Sequence, residues 1–456
     1  MQVQRRIAGA FIVVLFLWLP LLSTTPQIQE RFPKPDFQTD YARPDLQTPL
    51  PRAQALEYLD LVVLLAALTL ATYFAHKLRS RRLLFILMAA CLAYFGFFRK
   101  GCVCSVGAVQ NIGLALFDPA YAVPLTVILF FLLPLVFTLF FGRTFCAAVC
   151  PLGAVQDVMV LKPTRVPAWL ADVLGVLPYL YLGLAVLFAA TGAGFIICRY
   201  DPFIGFFRFG ASFNMILFGA SILLLGTVVA RPYCRFLCPY GVLLGWMSRI
   251  SRRHVKITPS ECINCRLCEE SCPFGAIKKA NDTAPQESRD THVKRLAVLI
   301  LLLPLLTAGG GWIGSRLHVP LSRAHVTVSL AEDIMAGKPG HPSDLTDPIT
   351  AFRASGEPIA ELYAEAGQIQ RRFRTGGWFL GGFIGLFLGL RMISLSTRRR
   401  QLEYDIDTGN CLSCARCFAY CPYEQERLGL IGPEELEEIK SRTAEKMKDK
   451  PPENVK

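Results

Sequence analysis

Eight cysteines stand in two runs of one pattern, Cys262-x2-Cys265-x2-Cys268-x3-Cys272-Pro273 and Cys411-x2-Cys414-x2-Cys417-x3-Cys421-Pro422. This is the bacterial spacing for 4Fe-4S ligation. Three thiolates in a tight loop take three irons of a cubane, and the fourth, followed by proline, points at the other cubane when two runs form a pair. Zinc binding or plain burial of eight thiols at this spacing is the weaker reading. Two apolar stretches lie between the runs, so both should return to one side of a membrane as a split ferredoxin domain. One cluster would then use Cys262, Cys265 and Cys268 with Cys421, and the other Cys411, Cys414 and Cys417 with Cys272.

Four further segments resemble one another: Cys104-Ser-Val-Gly-Ala-Val-Gln-Asn, Cys150-Pro-Leu-Gly-Ala-Val-Gln-Asp, Cys198-Arg-Tyr-Asp-Pro-Phe-Ile-Gly and Cys238-Pro-Tyr-Gly-Val-Leu-Leu-Gly. The pairs Cys146-x3-Cys150 and Cys234-x3-Cys238 supply four thiolates, enough for one membrane-embedded cluster. The alternatives are small packing thiols or ligands for another metal. Cys102, Cys104 and Cys198 supply three more, with Asp201 as a candidate non-cysteine ligand. They make either an outer cluster or, in an oxidising compartment, a disulfide. Cys91 lies mid-span and reads as core. Apolar stretches too short to span follow these cysteines, as at 151–161 and 239–247, and are expected to be half-helices re-entering the protein interior. Pro151 and Pro239 suit a first helical turn, and the unpaired N–H groups of a helix N-terminus favour an anionic thiolate cluster.

The elements that must position these cysteines are membrane helices. The chain has 456 residues, of which 53% are hydrophobic and 18% charged, with a mean hydropathy of +0.39, which excludes an ordinary soluble globular enzyme. Its 16 cysteines lack the even scatter of a disulfide-stapled secreted domain. The net charge of +13 gathers beside apolar runs, not in a basic stripe interleaved with aromatics, so a bilayer and not nucleic acid is the expected partner. Eight stretches, near 7–22, 56–75, 83–98, 122–141, 173–197, 213–230, 296–314 and 376–395, approach the roughly 17–25 residues a span needs. The first, after Arg5 and Arg6, reads as an uncleaved anchor, with a signal peptide as the alternative.

Lys77, Arg79, Arg81 and Arg82, then Arg143, Lys162 and Arg165, then Arg249, Arg252, Arg253 and Lys256, then Arg398, Arg399 and Arg400 mark one set of loops as cytoplasmic. Cys104 and Cys198 then fall at outer span ends and Cys150 and Cys238 at inner ends, a parallel repeat of about 90 residues. The expected fold is therefore mostly α and polytopic, with about eight spans, an internal repeat with half-helices and a split cytoplasmic ferredoxin domain. The parts are an anchor (1–22), a periplasmic Pro-rich tether (23–55), a transmembrane cysteine core (56–250), a ferredoxin half (251–293), a span (294–315), a periplasmic insert (316–375), a span (376–397), the second ferredoxin half (398–430) and a solvated tail (431–456).

Phe145-Cys146-Ala-Ala-Val-Cys150-Pro151-Leu-Gly153 and Tyr233-Cys234-Arg-Phe-Leu-Cys238-Pro239-Tyr-Gly241, followed by the ferredoxin runs, resemble the membrane-bound polyferredoxins of NapH and NosR type over roughly residues 83–425. NapH-like proteins serve quinol oxidation for periplasmic nitrate reductase, and NosR-like proteins support nitrous oxide reductase. The resemblance implies a bacterial inner-membrane oxidoreductase subunit. Its implied partners are other subunits, such as a periplasmic flavoprotein or a cytochrome, and the quinone pool. The sequence departs from NosR in lacking a periplasmic flavin domain and a covalent flavin attachment sequence. It departs from NapH in the outer cysteines, the split second run and the insert.

No Cys-x-x-Cys-His haem motif, no paired span histidines and no Walker A or dinucleotide fingerprint appear. His318, His325 and His341 in the insert read as solvated, with copper binding as the sharper alternative. Ile359, Leu362, Tyr363, Ala366, Ile369 and Phe373 form a helical stripe that packs on the membrane domain or docks a partner. The expected function is electron transfer from the ferredoxin clusters to a cluster at Cys146, Cys150, Cys234 and Cys238, and onward to the outer cysteines. A maturation or regulatory factor for a periplasmic metalloenzyme is the alternative.

Overall fold

Apolar runs in a membrane can satisfy their backbone polar groups only internally, and in this chain they do so as helices. The computed structural model describes residues 53–101, 104–161, 163–164, 166–257, 263, 265–278, 289–339, 347–396 and 404–448. The anchor 1–22, nearly all of the tether, Cys102, Cys262, Lys162, Arg165, Arg398 to Arg400, His341 and the end of the tail lie outside the described residues.

The main elements are α1 (Gln54–His76), α2 (Arg81–Cys91), α3 (Ser105–Phe117), α4 (Leu125–Phe141), α5 (Pro151–Val158), α6 (Leu177–Ala190), α7 (Phe213–Gly226), α8 (Pro239–Arg249), α9 (Arg289–Arg316) and α10 (Ile359–Ser396). Five segments are long and apolar enough to cross a membrane: Gln54–His76, Arg81–Phe98, Trp169–Ala190, Asp290–Arg316 and Ile359–Ser396. Among the described residues these five coincide with the spans expected at 56–75, 83–98, 173–197, 296–314 and 376–395. Those placed at 122–141 and 213–230 are the shorter helices α4 and α7, entered from Pro124 and Ser212 in extended conformation, and the one at 7–22 is outside the described residues. Hydropathy marks the apolar run but not where the chain leaves the helix.

The core holds α1 and α2 against the cysteine segments, with Leu68, Met88, Phe145, Leu152, Tyr233 and Tyr240 all buried. α9 and α10 form a hairpin whose contact depends on glycine and whose α10 also packs on α6, Phe387 stacking on Tyr179. A Cβ at Gly314, Gly381 or Gly385 would overlap the carbonyl of Gly377, Gly310 or Leu306 respectively, so the backbones touch along Gly310-x3-Gly314 and Gly377-x3-Gly381-x3-Gly385 in the small-xxx-small manner of membrane helices. α10 runs unbroken for 38 residues, about 57 Å. Its first half buries Leu362, Ala366, Ile369 and Phe373 against Val328, Ile349 and Phe352 of the insert and against Leu187 of α6. The stripe therefore packs, although Ile359 at its start is half exposed. Beyond the hairpin, a two-residue antiparallel ladder pairs β1 (Ile277–Lys278) with β2 (Asp405–Ile406), Ile277 opposite Ile406.

Candidate iron-sulfur centres

The β1–β2 ladder brings the two ferredoxin runs together across the intervening hairpin. Arg266 and Ala415, each one residue after the second cysteine of its run, adopt left-handed backbone conformations that turn the loops into short helices. Burial raises the Cys272 thiol, and the nearby Cys414 adds to the effect. Burial pushes the Cys411 thiol up to about 12; the Ser413 N–H opposes this, and Cys414 and Cys272 raise it further. Cys421 is raised by burial and feels Cys265 of the other run. Cys272 is thus close to Cys411 and Cys414, and Cys421 to Cys265. Thiols crowded and buried in this way are poor anions on their own, and a cationic iron core would stabilise all of them together.

The ferredoxin unit sits on the membrane core. Arg143 Nη1 donates to Gly409 O at 3.1 Å, Ser248 Oγ to Thr408 O at 2.6 Å and Arg235 Nη1 to Pro273 O at 3.2 Å. Cys146, Cys272 and Cys414 pack around one small apolar cluster of Ala230, Phe274 and Leu412. The ferredoxin runs and the Cys146/Cys150/Cys234/Cys238 set are therefore neighbours.

Within the membrane set, Cys150 and Cys238 are buried at the N-termini of α5 and α8, and Cys146 and Cys234 are partly exposed. Cys150 and Cys238 each lie close enough to Cys146 and Cys234 for electrostatic interaction. N–H groups surround the sulfurs. Gly241 N donates to Cys238 Sγ at 3.3 Å, Gln156 Nε2 to Cys234 Sγ at 3.3 Å and Arg143 Nη2 to Cys146 Sγ at 3.8 Å. Arg143 and Arg231 each stand three residues before the first cysteine of a pair, and each reaches into the other pair's half-helix. A Cβ at Gly153 would lie 3.3 Å from Arg231 Nη1, and one at Gly241 would lie 3.3 Å from Arg143 Nη2.

Arg231 is 1% exposed and is held in a left-handed conformation. It donates to Cys146 O and, at 3.3 Å, to Ala147 O, and it lies within electrostatic reach of both Cys234 and Cys414. Its counter-ion is Asp157, at 3.3 Å. Asp157 also pairs with Arg81 and with Arg416 of the second ferredoxin run, at 3.3 Å. One buried carboxylate thus faces three guanidinium groups and leaves positive charge in excess. Arg143 Nε and Arg231 Nε, both buried, have no hydrogen-bond partner.

Thiol sulfurs ringed by N–H donors and surplus buried cation suit an anionic iron-sulfur group. Among the described residues no three His, Cys, Asp or Glu side chains gather around a single metal ion.

Cys104 begins α3, its Sγ accepting from Gly107 N at 3.3 Å, and a Cβ on Gly107 would lie 3.3 Å from Cys198 Sγ. Asp201 is buried and accepts from Phe203 N and Ile204 N at 2.8 and 3.1 Å. Both cysteines are free thiols. A cavity of about 20 Å3 is lined by Cys104, Asp201, Cys150 and Leu152 together with Phe145 and Phe207. It has room for about one water and lies far below the few hundred Å3 of a small-molecule pocket, so it offers no place for a quinone. Cys91 is in the apolar core. His325 Nδ1 accepts from Thr327 N at the start of a helix, and His318 Nδ1 lies 2.7 Å from Ser315 O.

The charge pattern placed Arg143 in a cytoplasmic loop, whereas the side chain is buried against Cys146. Arg231, Asp157 and Gln156 were not singled out. The signal that could have found the arginines is Arg-x2-Cys-x3-Cys-Pro-x-Gly, which occurs at 143–153 and again at 231–241.

A 4Fe-4S binding domain family matches residues 123–165 and 211–258, the segments carrying both Cys-x3-Cys-Pro pairs, and a second 4Fe-4S binding domain family matches 255–278. Protein NirI of Paracoccus denitrificans is 31% identical over 33% of the chain and 24% of its own length. The putative electron transport protein YccM of Escherichia coli is 27% identical over 30% of the chain and 43% of its own length. The methylamine utilization ferredoxin-type protein MauN of Paracoccus denitrificans is 30% identical over 31% of the chain and 52% of its own length. The chain thus spans about half or less of each of these relatives. No solved structure matches it. With 4Fe-4S binding domain matches over the Cys146–Cys150, Cys234–Cys238 and first ferredoxin segments, ferredoxin-type relatives and helices long enough to cross a membrane, the chain is similar to NapH/NosR-like 4Fe-4S polyferredoxins.

Proposed function

We propose that this membrane protein carries electrons across the bacterial inner membrane, between two cytoplasmic ferredoxin-type clusters and a redox partner in the periplasm or the quinone pool. Cys262, Cys265, Cys268 and Cys421 hold one ferredoxin cluster, Cys411, Cys414, Cys417 and Cys272 the other, and Cys146, Cys150, Cys234 and Cys238 a membrane-embedded one. Such clusters supply one-electron transfer with little change of geometry. The chain's own residues hold the thiolates, exclude water with the surrounding apolar core, and set the local charge through Arg143, Arg231 and the N–H donors. The lysines and arginines at 77–82, 249–256 and 398–400 support the orientation, and the matching Arg-x2-Cys-x3-Cys-Pro-x-Gly segments support a parallel repeat.

The observation that carries this function is the packing of Cys146 with Cys272 and Cys414 around a single apolar cluster. It supports reading the membrane thiols and the ferredoxin thiols as neighbours on one electron path. Iron and sulfide per chain, with EPR during a redox titration, test the assignment in wild type and in a Cys150→Ala, Cys238→Ala double variant. The variant should lose about 4 Fe relative to wild type while the two ferredoxin cubanes, about 8 Fe, remain. An unchanged iron content and EPR spectrum would leave a membrane-anchored ferredoxin and favour a maturation or regulatory role.

A further inference from the structure

The hydrogen bonds of Gln156 are repeated elsewhere in the chain with one partner missing. Gln156 stands six residues after Cys150. Its Oε1 accepts from Tyr233 N, the residue before Cys234, at 2.9 Å, and its Nε2 donates to Cys234 Sγ. Gln110 stands six residues after Cys104, and its Oε1 accepts from Ile197 N, the residue before Cys198, at 2.7 Å. Gln110 is fully buried and its Nε2 has no partner. By this correspondence its free N–H group is directed to the place where Cys198 matches Cys234.

The match extends to the caps. Cys104 and Cys238 both accept the amide three residues on, from Gly107 and Gly241, at 3.3 Å. Asp201 accepts the amides two and three residues on, and it precedes Pro202 as Cys150 and Cys238 precede Pro151 and Pro239. A carboxylate therefore stands three residues after Cys198, one residue short of the spacing at which the second cysteine follows the first in the inner pairs, and like that cysteine it is followed by proline. Tyr233 is also buried with an unpartnered hydroxyl, and it lies within electrostatic reach of Asp201, Cys238 and Cys104, between the two sets.

We propose that Cys104, Cys198 and Asp201 ligate a second membrane iron-sulfur cluster, with Asp201 as its non-thiolate ligand and Gln110 as the N–H donor to the Cys198 sulfur. The proposal rests on the same repeat as the cluster at Cys146 but on separate residues, so each can fail alone. The two sets share the lining of one small cavity, which places them within a short electron-tunnelling step of each other.

The test uses full-length protein purified anaerobically in detergent. Iron per chain, EPR and midpoint potentials are compared for wild type, Cys198→Ser, Asp201→Cys, Gln110→Leu and the Cys150→Ala, Cys238→Ala double variant. Cys198→Ser should lose one cluster's iron and one EPR signal, a signal distinct from the one lost in the double variant. Asp201→Cys should keep its iron and move that same signal to lower potential, since a thiolate donates more electron density than a carboxylate. Gln110→Leu should also lower it, by removing an N–H donor. Two results would overturn the proposal: unchanged iron and spectra in Cys198→Ser, or Asp201→Cys and Gln110→Leu variants that retain iron with every signal in place. If only the double variant leaves iron and spectra unchanged, the inner cluster fails and the outer one stands.

Discussion

Replacing Arg143 by glutamine should lower the midpoint potential of the cluster proposed at Cys146, Cys150, Cys234 and Cys238 by roughly 100 mV. The guanidinium Nη2 lies 3.8 Å from Cys146 Sγ, and no carboxylate pairs with it among its described hydrogen bonds. At an effective dielectric of about 20, a unit charge at that distance is worth roughly 4.4 kcal/mol, or about 190 mV for one electron. An electron entering a cluster spreads over several atoms, most of them farther from Arg143, which reduces the effect by about half. The sign is fixed: reduction adds negative charge, the cation stabilises it, and removing the cation makes reduction harder. Glutamine keeps an N–H donor and leaves no orphaned anion, so the cluster should stay loaded. The assay is an EPR-monitored potentiometric titration of the signal lost in the Cys150→Ala, Cys238→Ala variant, at moderate and high salt, because a buried charge is screened little. A shift below about 20 mV, or an upward one, with iron content unchanged would refute the assignment of Arg143 as the local counter-charge.

Asp157→Asn leaves three arginines without their shared carboxylate and should cost about 3–5 kcal/mol, read as a lower melting temperature by intrinsic fluorescence; an unchanged melting temperature would contradict the buried pairing. The same variant frees Arg416, so limited proteolysis should cut between the second ferredoxin half and the membrane core faster than in wild type. Cys421→Ala should abolish the EPR signal of the Cys262–Cys268 run, whereas Cys272→Ala should abolish that of the Cys411–Cys417 run; each variant silencing its own run would sink the crossed pairing. Gly381→Leu drives a side chain into the Gly310 carbonyl and should eliminate folded, cluster-loaded protein in size-exclusion chromatography, while Gly367→Leu, in the same helix with nothing within 4 Å, should be tolerated.

The cysteine spacing made the ferredoxin runs legible, and Pro151 and Pro239 marked where the short helices α5 and α8 begin. Arg143 was read only as a loop charge and Arg231 was not read at all, because sequence assigns a basic residue near a span end to the loop. That rule holds for side chains reaching water, whereas Arg143 and Arg231 are compensated by thiol sulfurs, carbonyls and Asp157 instead. The α9–α10 contact was written in the glycine spacing, but hydropathy treats glycine as weakly apolar and misses that its value there is the absent Cβ. The ends of α4 and α7 depend on local breaks at Pro124 and Ser212 inside apolar runs, where composition changes little.

The ladder between Ile277 and Ile406 has a consequence for how the protein is made. Its two strands are separated by the whole α9–α10 hairpin, so the first ferredoxin half leaves the ribosome more than a hundred residues before its partner exists. Until then Cys272 lacks the Cys411 and Cys414 thiols that lie beside it. The halves can meet only if the hairpin crosses the bilayer an even number of times; a hairpin inserted once would strand them on opposite faces. Closure of a two-residue ladder thereby depends on an even number of crossings by α9 and α10.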